Sequence, residues 1–267
     1  PHVATTIDNA KIAENDYNLS VSEYVEQKNS RKKIDIVELN KSISENVKKI
    51  NSLRNKIETL IKEIGDNNEN NYLLKLLEGI DIEWKTLGEV SEYEQPSNYL
   101  VNSTDYKDEY NTPVLTAGKT FILGYTNETH GIYRASDKPV IIFDDFTTAN
   151  KWVDFDFKAK SSAMKMITSK DESKTLLKYI YYWLNTLPSG LVDGDHKRQW
   201  ISNYSNKLIP IPCPKDSQKS IEIQQKIVDC INNFAELSAE LSAELSAELS
   251  AREKQYEYYR DLLLTFP

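Results

Sequence analysis

The sequence has few cysteines, no long apolar run and no signal-peptide pattern, which are features that mark metal-cluster, membrane and secreted proteins. Its two cysteines cannot form a metal cluster, so Cys213 and Cys230 are expected to be packing residues in a reducing compartment. No apolar run approaches the roughly 18 residues that a membrane-spanning helix requires. The chain begins Pro-His-Val-Ala, with neither a start methionine nor a signal-peptide pattern. These features predict a cytoplasmic protein, with no membrane partner, whose first residue is internal to a longer chain.

The chain also lacks an excess of positive charge, since its formal net charge is −8 at pH 7. This charge argues against a nucleic-acid binder of the wholly basic kind. Between Asp81 and Lys215, however, acidic and basic residues nearly balance, and the flanking segments hold most of the excess acid. The central segment can therefore carry a modest positive face.

Two motifs of nucleotide chemistry are incomplete. A methyltransferase that acts on an exocyclic amine would carry an Asn/Asp-Pro-Pro-aromatic loop and a glycine-rich cofactor turn. Residues 111–113 and 116–119 are the nearest approaches, and neither has the required pattern. Residues 116–120 also lack the first glycine of a phosphate-binding loop, so they are interpreted as a tight turn between two strands.

The acidic residues suggest metal chemistry only weakly. Asp81, Glu83 and Lys85 have the residue types of a metal-dependent nuclease, but they are too close in sequence for its usual strand-turn-strand site. The alternative is a simple domain entry with a buried Trp84. Asp144 and Asp145 could bind a metal or transfer protons, yet adjacent residues of a strand point to opposite faces. We therefore assign no catalytic and no metal-binding residues.

An amphipathic helix is predicted for residues 35–64, because apolar residues recur there at spacings of three and four. The helix should end at Gly65, where a polar, asparagine-rich linker begins. The apolar stripe has the spacing of a coiled-coil face and consists of Ile36, Leu39, Ile43, Val47, Ile50, Leu53, Ile57, Leu60 and Ile64.

Short runs of Val, Ile, Thr and aromatic residues separated by Gly, Asn, Asp and Pro predict a β-rich domain from Trp84 to about Pro214. One helix should interrupt this domain at residues 173–186. The proline-rich residues 209–214 are expected to form a stiff extended hinge into a C-terminal helix.

The C-terminal segment contains the unit Ala-Glu-Leu-Ser four times in succession, from Ala235 to Ser250. Because no Gly or Pro occurs between Lys215 and Phe266, we expect one long helix. A spacing of four moves each leucine about 40° around the axis, so the stripe requires a partner helix, and each copy adds about 6 Å of length. The copy number would then act as a ruler; the alternative is a solvated, low-complexity helix that expanded by slippage. The partner-helix packing residues are predicted to be Leu237, Leu241, Leu245, Leu249, Tyr256 and Tyr259.

Residues 193–200 place two cations, a histidine, an amide and an indole in a glycine-containing loop. This combination suits phosphate contacts together with hydrogen bonds to base edges. The alternative is a solvated turn. We favour DNA contact for Lys197 and Arg198, and a buried position for Trp200.

Three stretches resemble the target recognition domain of Type I restriction-modification specificity subunits, and the tail resembles the conserved helical region of the same subunits. Within residues 80–266, domain entry, strand motifs, helix and repeat occur in the family order. The matching segments are Trp84-Lys-Thr-Leu-Gly-Glu-Val90, Pro113-Val-Leu-Thr-Ala-Gly-Lys-Thr120 with Gly124-Tyr125, Lys138-Pro-Val-Ile-Ile-Phe-Asp-Asp-Phe-Thr147, Gln224-Gln-Lys-Ile227 and residues 252–264.

The resemblance implies a non-catalytic subunit that recognises double-stranded DNA and positions a DNA methyltransferase, with or without a restriction subunit. Tandem four-residue repeats in this helix are associated in the family with the separation between the two halves of a split target. S-adenosylmethionine would be held by the partner methyltransferase and no cofactor by this chain. Residues 1–64 resemble the C-terminal tail of the methyltransferase subunit, so the chain is either a natural fusion or a fragment.

A full specificity subunit has two recognition domains, and this chain resembles half of one, so we expect a homodimer through the C-terminal helices. The competing hypothesis is a coiled-coil assembly or adaptor protein whose β-rich domain binds another protein. The predicted fold class is α+β, a β-rich recognition domain flanked by long coiled-coil-forming helices. The predicted domains are the methyltransferase-like helical segment 1–65, a linker 66–80, the target recognition domain 81–214 and the repeat helix 215–267. The predicted DNA-binding residues are Thr116, Gly118, Lys119, Thr147, His196, Lys197, Arg198 and Gln199.

Overall fold

A computed structural model describes residues 6–20, 24, 34–65, 77–118, 120–188 and 198–265 of the chain. The chain divides into two compact units, one formed by residues 1–53 with 241–267 and the other by residues 54–240. Within the described residues, no helix is both long enough and apolar enough to cross a membrane. The helices of this part of the chain are α1 (Asn9–Glu14), α2 (Ile36–Gly65), α3 (Leu87–Val90), α4 (Leu177–Thr186), α5 (Gln199–Ser202) and α6 (Ser217–Leu264), with 3₁₀ turns at Pro96–Tyr99 and Tyr204–Asn206.

Helix α2 confirms the amphipathic helix predicted from apolar periodicity. It begins after Asp35, whose Oδ1 accepts hydrogen bonds from the amides of Val37 and Glu38 at 3.0 and 3.1 Å. The residues of its stripe are the ones withdrawn from solvent, with Ile43 and Ile50 buried in the first unit. The periodic pattern therefore identified the packing face as well as the helix.

In the first unit, the N-terminal half of α2 lies antiparallel to the C-terminal half of α6. The side chain of Gln255 donates to Asn40 at 2.6 Å, and Lys49 forms an ion pair with Glu244 at 3.3 Å. Helix α6 runs without interruption through all four repeats, as the absence of Gly and Pro predicted.

The β-structure of the second unit forms three sheets among the described residues. The strands are β1 (Ile82–Thr86), β2 (Ser91–Glu94), β3 (Thr112–Leu115), β4 (Ile122–Thr126), β5 (Val140–Asp144), β6 (Asn150–Val153), β7 (Lys158–Ala159), β8 (Met164–Ser169) and β9 (Leu208–Pro212). Strands β1 and β9 pair with each other, and β2-β8-β5-β6 form an antiparallel sheet. The third sheet has the order β4-β3-β7, in which β3 is antiparallel to β4 and parallel to β7.

Strand β5 separates two hydrophobic clusters, because its side chains alternate between its two faces. Ile141 and Phe143 pack in one cluster with residues of α4, α5, β9 and α6. Val140 and Ile142 pack in the other with residues of β3, β6, β7 and β8. The α+β class is therefore confirmed, and the buried strand β5 leads directly into the turn that begins at Asp145.

Three local expectations were wrong. Residues 209–214 were predicted to be a stiff extended hinge; they are extended as far as Pro212, but they do not form a hinge, because β9 pairs along its whole length with β1 and so joins the entry of the β-rich region to its exit. Trp84 is 55% exposed rather than buried, since its strand has a single hydrogen-bonded neighbour and its ring meets Trp183 at 5.9 Å. Helix α4 begins at Leu177 rather than at residue 173, because Asp171 holds the preceding residues in turns through its carboxylate and carbonyl.

Candidate nucleic-acid interface

Thr147 lies in the turn between β5 and β6, which is held in place by hydrogen bonds within the turn. The Oδ1 atom of Asp144 accepts from the amides of Phe146 and Thr147 at 2.8 and 3.1 Å. Thr148 has a left-handed backbone with φ of 62°, which is costly for a β-branched residue. Phe146 and Thr147 are exposed at the tip. The turn is thus fixed from inside and presents two side chains to solvent.

Asp145 joins this turn to helix α5. Its carbonyl oxygen accepts from the amide of Gln199 at 2.8 Å, and its Oδ1 accepts from the amide of Trp200 at 2.9 Å. These amides are among the donors that a helix N-terminus leaves without intrahelical partners. Asp144 therefore bonds within the β5–β6 turn, whereas Asp145 bonds to α5. This agrees with the expectation that adjacent strand residues point to opposite faces.

Arg198 stands immediately before α5 and is exposed. Its carbonyl accepts from the amide and the hydroxyl of Ser202 at 3.2 and 2.7 Å, which fixes the backbone and leaves the guanidinium side chain at the surface. Trp200 is buried against Phe143, with ring centroids 5.3 Å apart, so its predicted position in the core is confirmed. Gln199 is only 3% exposed, and its side chain therefore supports this turn from beneath.

A buried cation lies under the junction. The Nζ atom of Lys165, on β8, is 3.6 Å from Oδ2 of Asp145, and both side chains are essentially inaccessible to solvent. The ammonium also lies 4.9 Å from the centre of the Tyr93 ring. Sequence reasoning missed Lys165, although a lysine within the run Met-Lys-Met-Ile-Thr could have indicated a buried ion pair.

A second turn, between β3 and β4, carries Thr116 and Gly118. The Thr116 hydroxyl donates to the carbonyl of Thr120 at 2.6 Å and accepts from the amide of Gly118 at 3.3 Å. Ala117 and Phe121 pack against the cluster that contains Val140. The turn predicted between two strands is confirmed, and Ala117 and Phe121 anchor it to the core.

The structure thus brings Thr147 and Arg198 together through Asp145 and places Thr116 and Gly118 on another hairpin. Lys119, His196 and Lys197 lie outside the described residues. Within the described part of the chain, no three His, Cys, Asp or Glu side chains are grouped as metal ligands would be.

A charged network fixes other loops of the same unit. Lys158 is buried, donates to the carbonyl of His130 at 2.7 Å and pairs with Glu128 at 2.9 Å. Glu128 also accepts from the amides of Asn102 and Ser103 at 2.9 and 2.8 Å. Burial favours the neutral form of Glu128, but the hydrogen bonds from Lys158 and the two amides outweigh it and hold the pKa of this carboxyl below its usual value.

The predicted partner-helix residues differ in exposure. Leu237 and Leu241 are partly covered, whereas Leu245 and Tyr259 are exposed, and Leu249 and Tyr256 are 63% and 68% exposed. Exposure therefore increases along the repeat, as a stripe with a spacing of four predicts.

The chain is similar to several known proteins. Residues 80–251 match the model of the Type I restriction modification DNA specificity domain. The chain is 68% identical over 198 residues to the EcoR124I/EcoR124II Type I restriction enzyme specificity subunit of Escherichia coli. The aligned residues make up 74% of this chain and 48% of that protein. It is 30% identical over 204 residues to a putative Type I restriction enzyme specificity subunit of Haemophilus influenzae, covering 74% and 50% of the two chains.

Among solved structures, the crystal structure of the Type I restriction-modification S subunit from M. genitalium aligns with a TM-score of 0.47 and 12% identity, covering 81% of this chain and 57% of that one. The chain spans about half the length of the two curated relatives from E. coli and H. influenzae. With well over half of its residues matched by the family model, the chain belongs to the Type I restriction modification DNA specificity domain family.

Proposed function

We propose that this chain is the sequence-recognition component of a Type I-like restriction-modification system and that its β-rich domain binds one half of a split duplex DNA target. The observation that carries the proposal is the family match over residues 80–251, which includes both exposed turns and all four repeats. The chain would deliver a DNA methyltransferase, and in some assemblies a restriction subunit, to that target in the cytoplasm. S-adenosylmethionine would be bound by the methyltransferase.

The DNA-facing surface would consist of the β5–β6 turn and the start of α5. Among the described residues, Arg198 supplies the positive charge of this surface. Its guanidinium can donate two parallel hydrogen bonds, which suits a guanine edge or a phosphate. Thr147 would contact the backbone or a base from the adjoining turn. Lys119, His196 and Lys197 remain predictions, and Gln199 would act through the position of the turn because its side chain is buried.

The domain assignment follows the resemblance noted in the sequence. We propose that residues 1–65 correspond to a methyltransferase tail, that 66–80 link it to the recognition domain 81–214, and that 215–267 form the spacer helix. Support comes from the bounds of α2 and α6, which end and begin close to the proposed limits.

A second copy of the chain would pair through the exposed side of α6. Leu245, Leu249, Tyr256 and Leu263 recur at spacings of four and seven on the C-terminal half of this helix, and all are exposed. Such spacings place side chains along one face, and a continuous apolar face of this kind usually marks an interface. This stripe supports self-association without a contribution from the β-rich domain.

Binding to duplex DNA of random sequence, followed by selection and sequencing, tests the proposal. Affinity should fall steeply with added salt, because phosphate contacts release condensed counterions, and the selected pool should converge on a short motif. Salt-independent or undetectable DNA binding would instead favour an assembly protein whose β-rich domain binds another protein.

Arg198→Ala provides a residue-level test of the same surface. Specific binding should weaken by about 1–3 kcal/mol if the guanidinium reads a base edge. Lys174→Ala is the matched control, because it removes an exposed cation that is paired with Asp171 outside the two turns. Equal effects of the two variants would place the DNA surface elsewhere on the domain.

A further inference from the structure

The buried pair of Asp145 and Lys165 is poorly satisfied for its depth. Neither Asp145 Oδ2 nor Lys165 Nζ has a hydrogen-bond partner among the described residues, although both atoms are buried. Their separation of 3.6 Å is an ion-pair distance but longer than a charge-assisted hydrogen bond. The ring of Tyr93 adds a cation–π contact at 4.9 Å.

Stability alone does not explain such a pair. Removing two charges from water is costly, and apolar side chains of similar size often replace a buried ion pair without loss of stability. Lys158 and Glu128 provide a contrast within the same unit, because that lysine has a close carboxylate and a carbonyl acceptor, and that glutamate accepts two backbone amides. The pair with close hydrogen-bond partners stabilises loops, whereas the poorly satisfied pair lies beneath the proposed DNA surface.

Asp145 uses its three oxygens at two different elements. Its carbonyl and Oδ1 hold the first two amides of α5, and its Oδ2 faces Lys165 on β8. The carboxylate plane is thus set by the cation on one side and the helix terminus on the other. Arg198 precedes these amides and Thr147 follows Asp145 by two residues, so a change in the orientation of the carboxylate would weaken the contact that holds one turn against the other.

We propose that Asp145 and Lys165 are positioning residues that fix Arg198 relative to the turn of residues 145–148 and thereby set base discrimination without contacting DNA. This inference rests on the proposed function, in which Arg198 and Thr147 face the target. A base edge is read by hydrogen bonds of narrow geometry, whereas phosphate contacts tolerate displacement. Loosening the pair should therefore reduce discrimination and leave general DNA affinity unchanged.

The test compares the full chain with Asp145→Asn/Lys165→Met, which removes both charges and keeps an acceptor for the amide of Trp200. Glu128→Gln/Lys158→Met is the matched control, a double change of the same type at the other buried pair. Each protein is titrated with the selected target, with single-base variants of that target and with an unrelated duplex at several salt concentrations. Thermal unfolding establishes that each variant is folded.

The ratio of affinities between the target and its single-base variants should fall by about 5- to 100-fold in Asp145→Asn/Lys165→Met, the size expected when one base contact is misplaced. Affinity for the unrelated duplex and its salt dependence should not change, and the control should keep the wild-type ratio. Lys165→Arg keeps the charge but moves it, so it should give a smaller loss of discrimination and provides the test if the double variant does not fold.

An unchanged ratio in a folded variant, or equal losses in the two double variants, would overturn the inference while the proposed function stands. If the wild-type chain shows no salt-dependent duplex binding, the proposed function fails and this inference fails with it.

Discussion

Two glycines illustrate how differently the same residue type acts at two sites of the β-rich region. Gly131 has a left-handed backbone with φ of 61°, and a Cβ atom there would lie 2.7 Å from the carbonyl oxygen of Asn98. A Cβ atom on Gly118 would meet only the Thr116 hydroxyl oxygen at an ordinary 3.8 Å. Gly131 is therefore required by the fold, whereas Gly118 is free to serve another purpose.

Gly118→Ala should leave the free energy of unfolding within about 0.5 kcal/mol of wild type, because the added methyl group has space. If the backbone of this turn approaches DNA, specific affinity should fall several-fold, since the methyl group would keep the phosphate away. Gly131→Ala is the contrasting variant and should destabilise the protein by about 1–3 kcal/mol. Urea unfolding and DNA titration measure the two effects, and unchanged affinity in Gly118→Ala would remove this turn from the interface.

Glu128 should make stability depend on pH at the acidic end. Its pKa is lowered in the folded chain from an ordinary value of 4.5, so its contribution is fully present above that pH. The contribution is lost as the pH falls from there through the lowered folded pKa. The difference in unfolding free energy between wild type and Glu128→Gln should therefore shrink below about pH 4.5. A difference that stays constant down to about pH 3 would contradict this linkage.

At the scale of elements, local periodicity predicted the helices well and long-range pairing poorly. The stripe from Ile36 to Ile64 identified α2 because helical neighbours are close in sequence. The pairing of β1 with β9 could not be predicted, since it joins Trp84 to Pro210 across the whole β-rich region. Arg198 and Thr147 were identified separately, but the bridge through Asp145 depends on that same long-range packing.

The leucines of the repeat depart from the packed face of α6, because their spacing differs from the spacing of the residues that are covered on that face. Between residues 241 and 258 the covered positions of α6 are spaced alternately by three and four, and the leucines at intervals of four depart from them after Leu241. This difference explains why Leu245 and Leu249 are exposed although Leu241 is not. From residue 241 to residue 258 the covered positions are Leu241, Glu244, Glu248, Ala251, Gln255 and Tyr258.

Leu241→Ala and Leu249→Ala should therefore separate folding from association. Leu241→Ala should lower the free energy of unfolding by about 1–2 kcal/mol, because a partly buried side chain is lost. Leu249→Ala should change it by less than about 0.5 kcal/mol and should instead weaken self-association. Urea unfolding at low concentration and analytical ultracentrifugation measure these two quantities. Unchanged self-association in Leu249→Ala would mean that the exposed stripe has no role in pairing.

Deleting one repeat, residues 243–246, tests the ruler. The deletion removes about 6 Å of helix and rotates the C-terminal remainder of α6 by about 40°, whereas one base pair advances about 3.4 Å along DNA. If paired helices separate two recognition domains, the selected spacer should shorten by about one or two base pairs while the half-site bases stay the same. Identical spacers would reduce the repeat to packing, and altered half-site bases would mean that the helix reads sequence.

At the scale of the whole molecule, the quantity that matters is the length of chain that accompanies each recognition domain. The chain covers 48% of its Escherichia coli relative, and the family match covers residues 80–251. The matched parts of two copies would therefore span about as much chain as that relative contains. A closed pair of identical chains has two-fold symmetry, and a two-fold pair of readers requires inverted half-sites.

The selected DNA target should accordingly be an inverted repeat interrupted by a spacer of undefined sequence, bound by two copies of the chain. Sedimentation equilibrium at micromolar concentration should show a dimer, and Leu249→Ala should shift it toward monomer without altering the bases of one half-site. The half-site alone should bind far more weakly than the full target, because two linked contacts act at high effective concentration. An asymmetric selected site, or a monomer that binds the full target as tightly as the wild-type protein, would show that symmetry does not specify recognition. Because association involves α6 and base reading involves the β-rich domain, a half-site sequence that changes in Leu249→Ala would also contradict this division of roles.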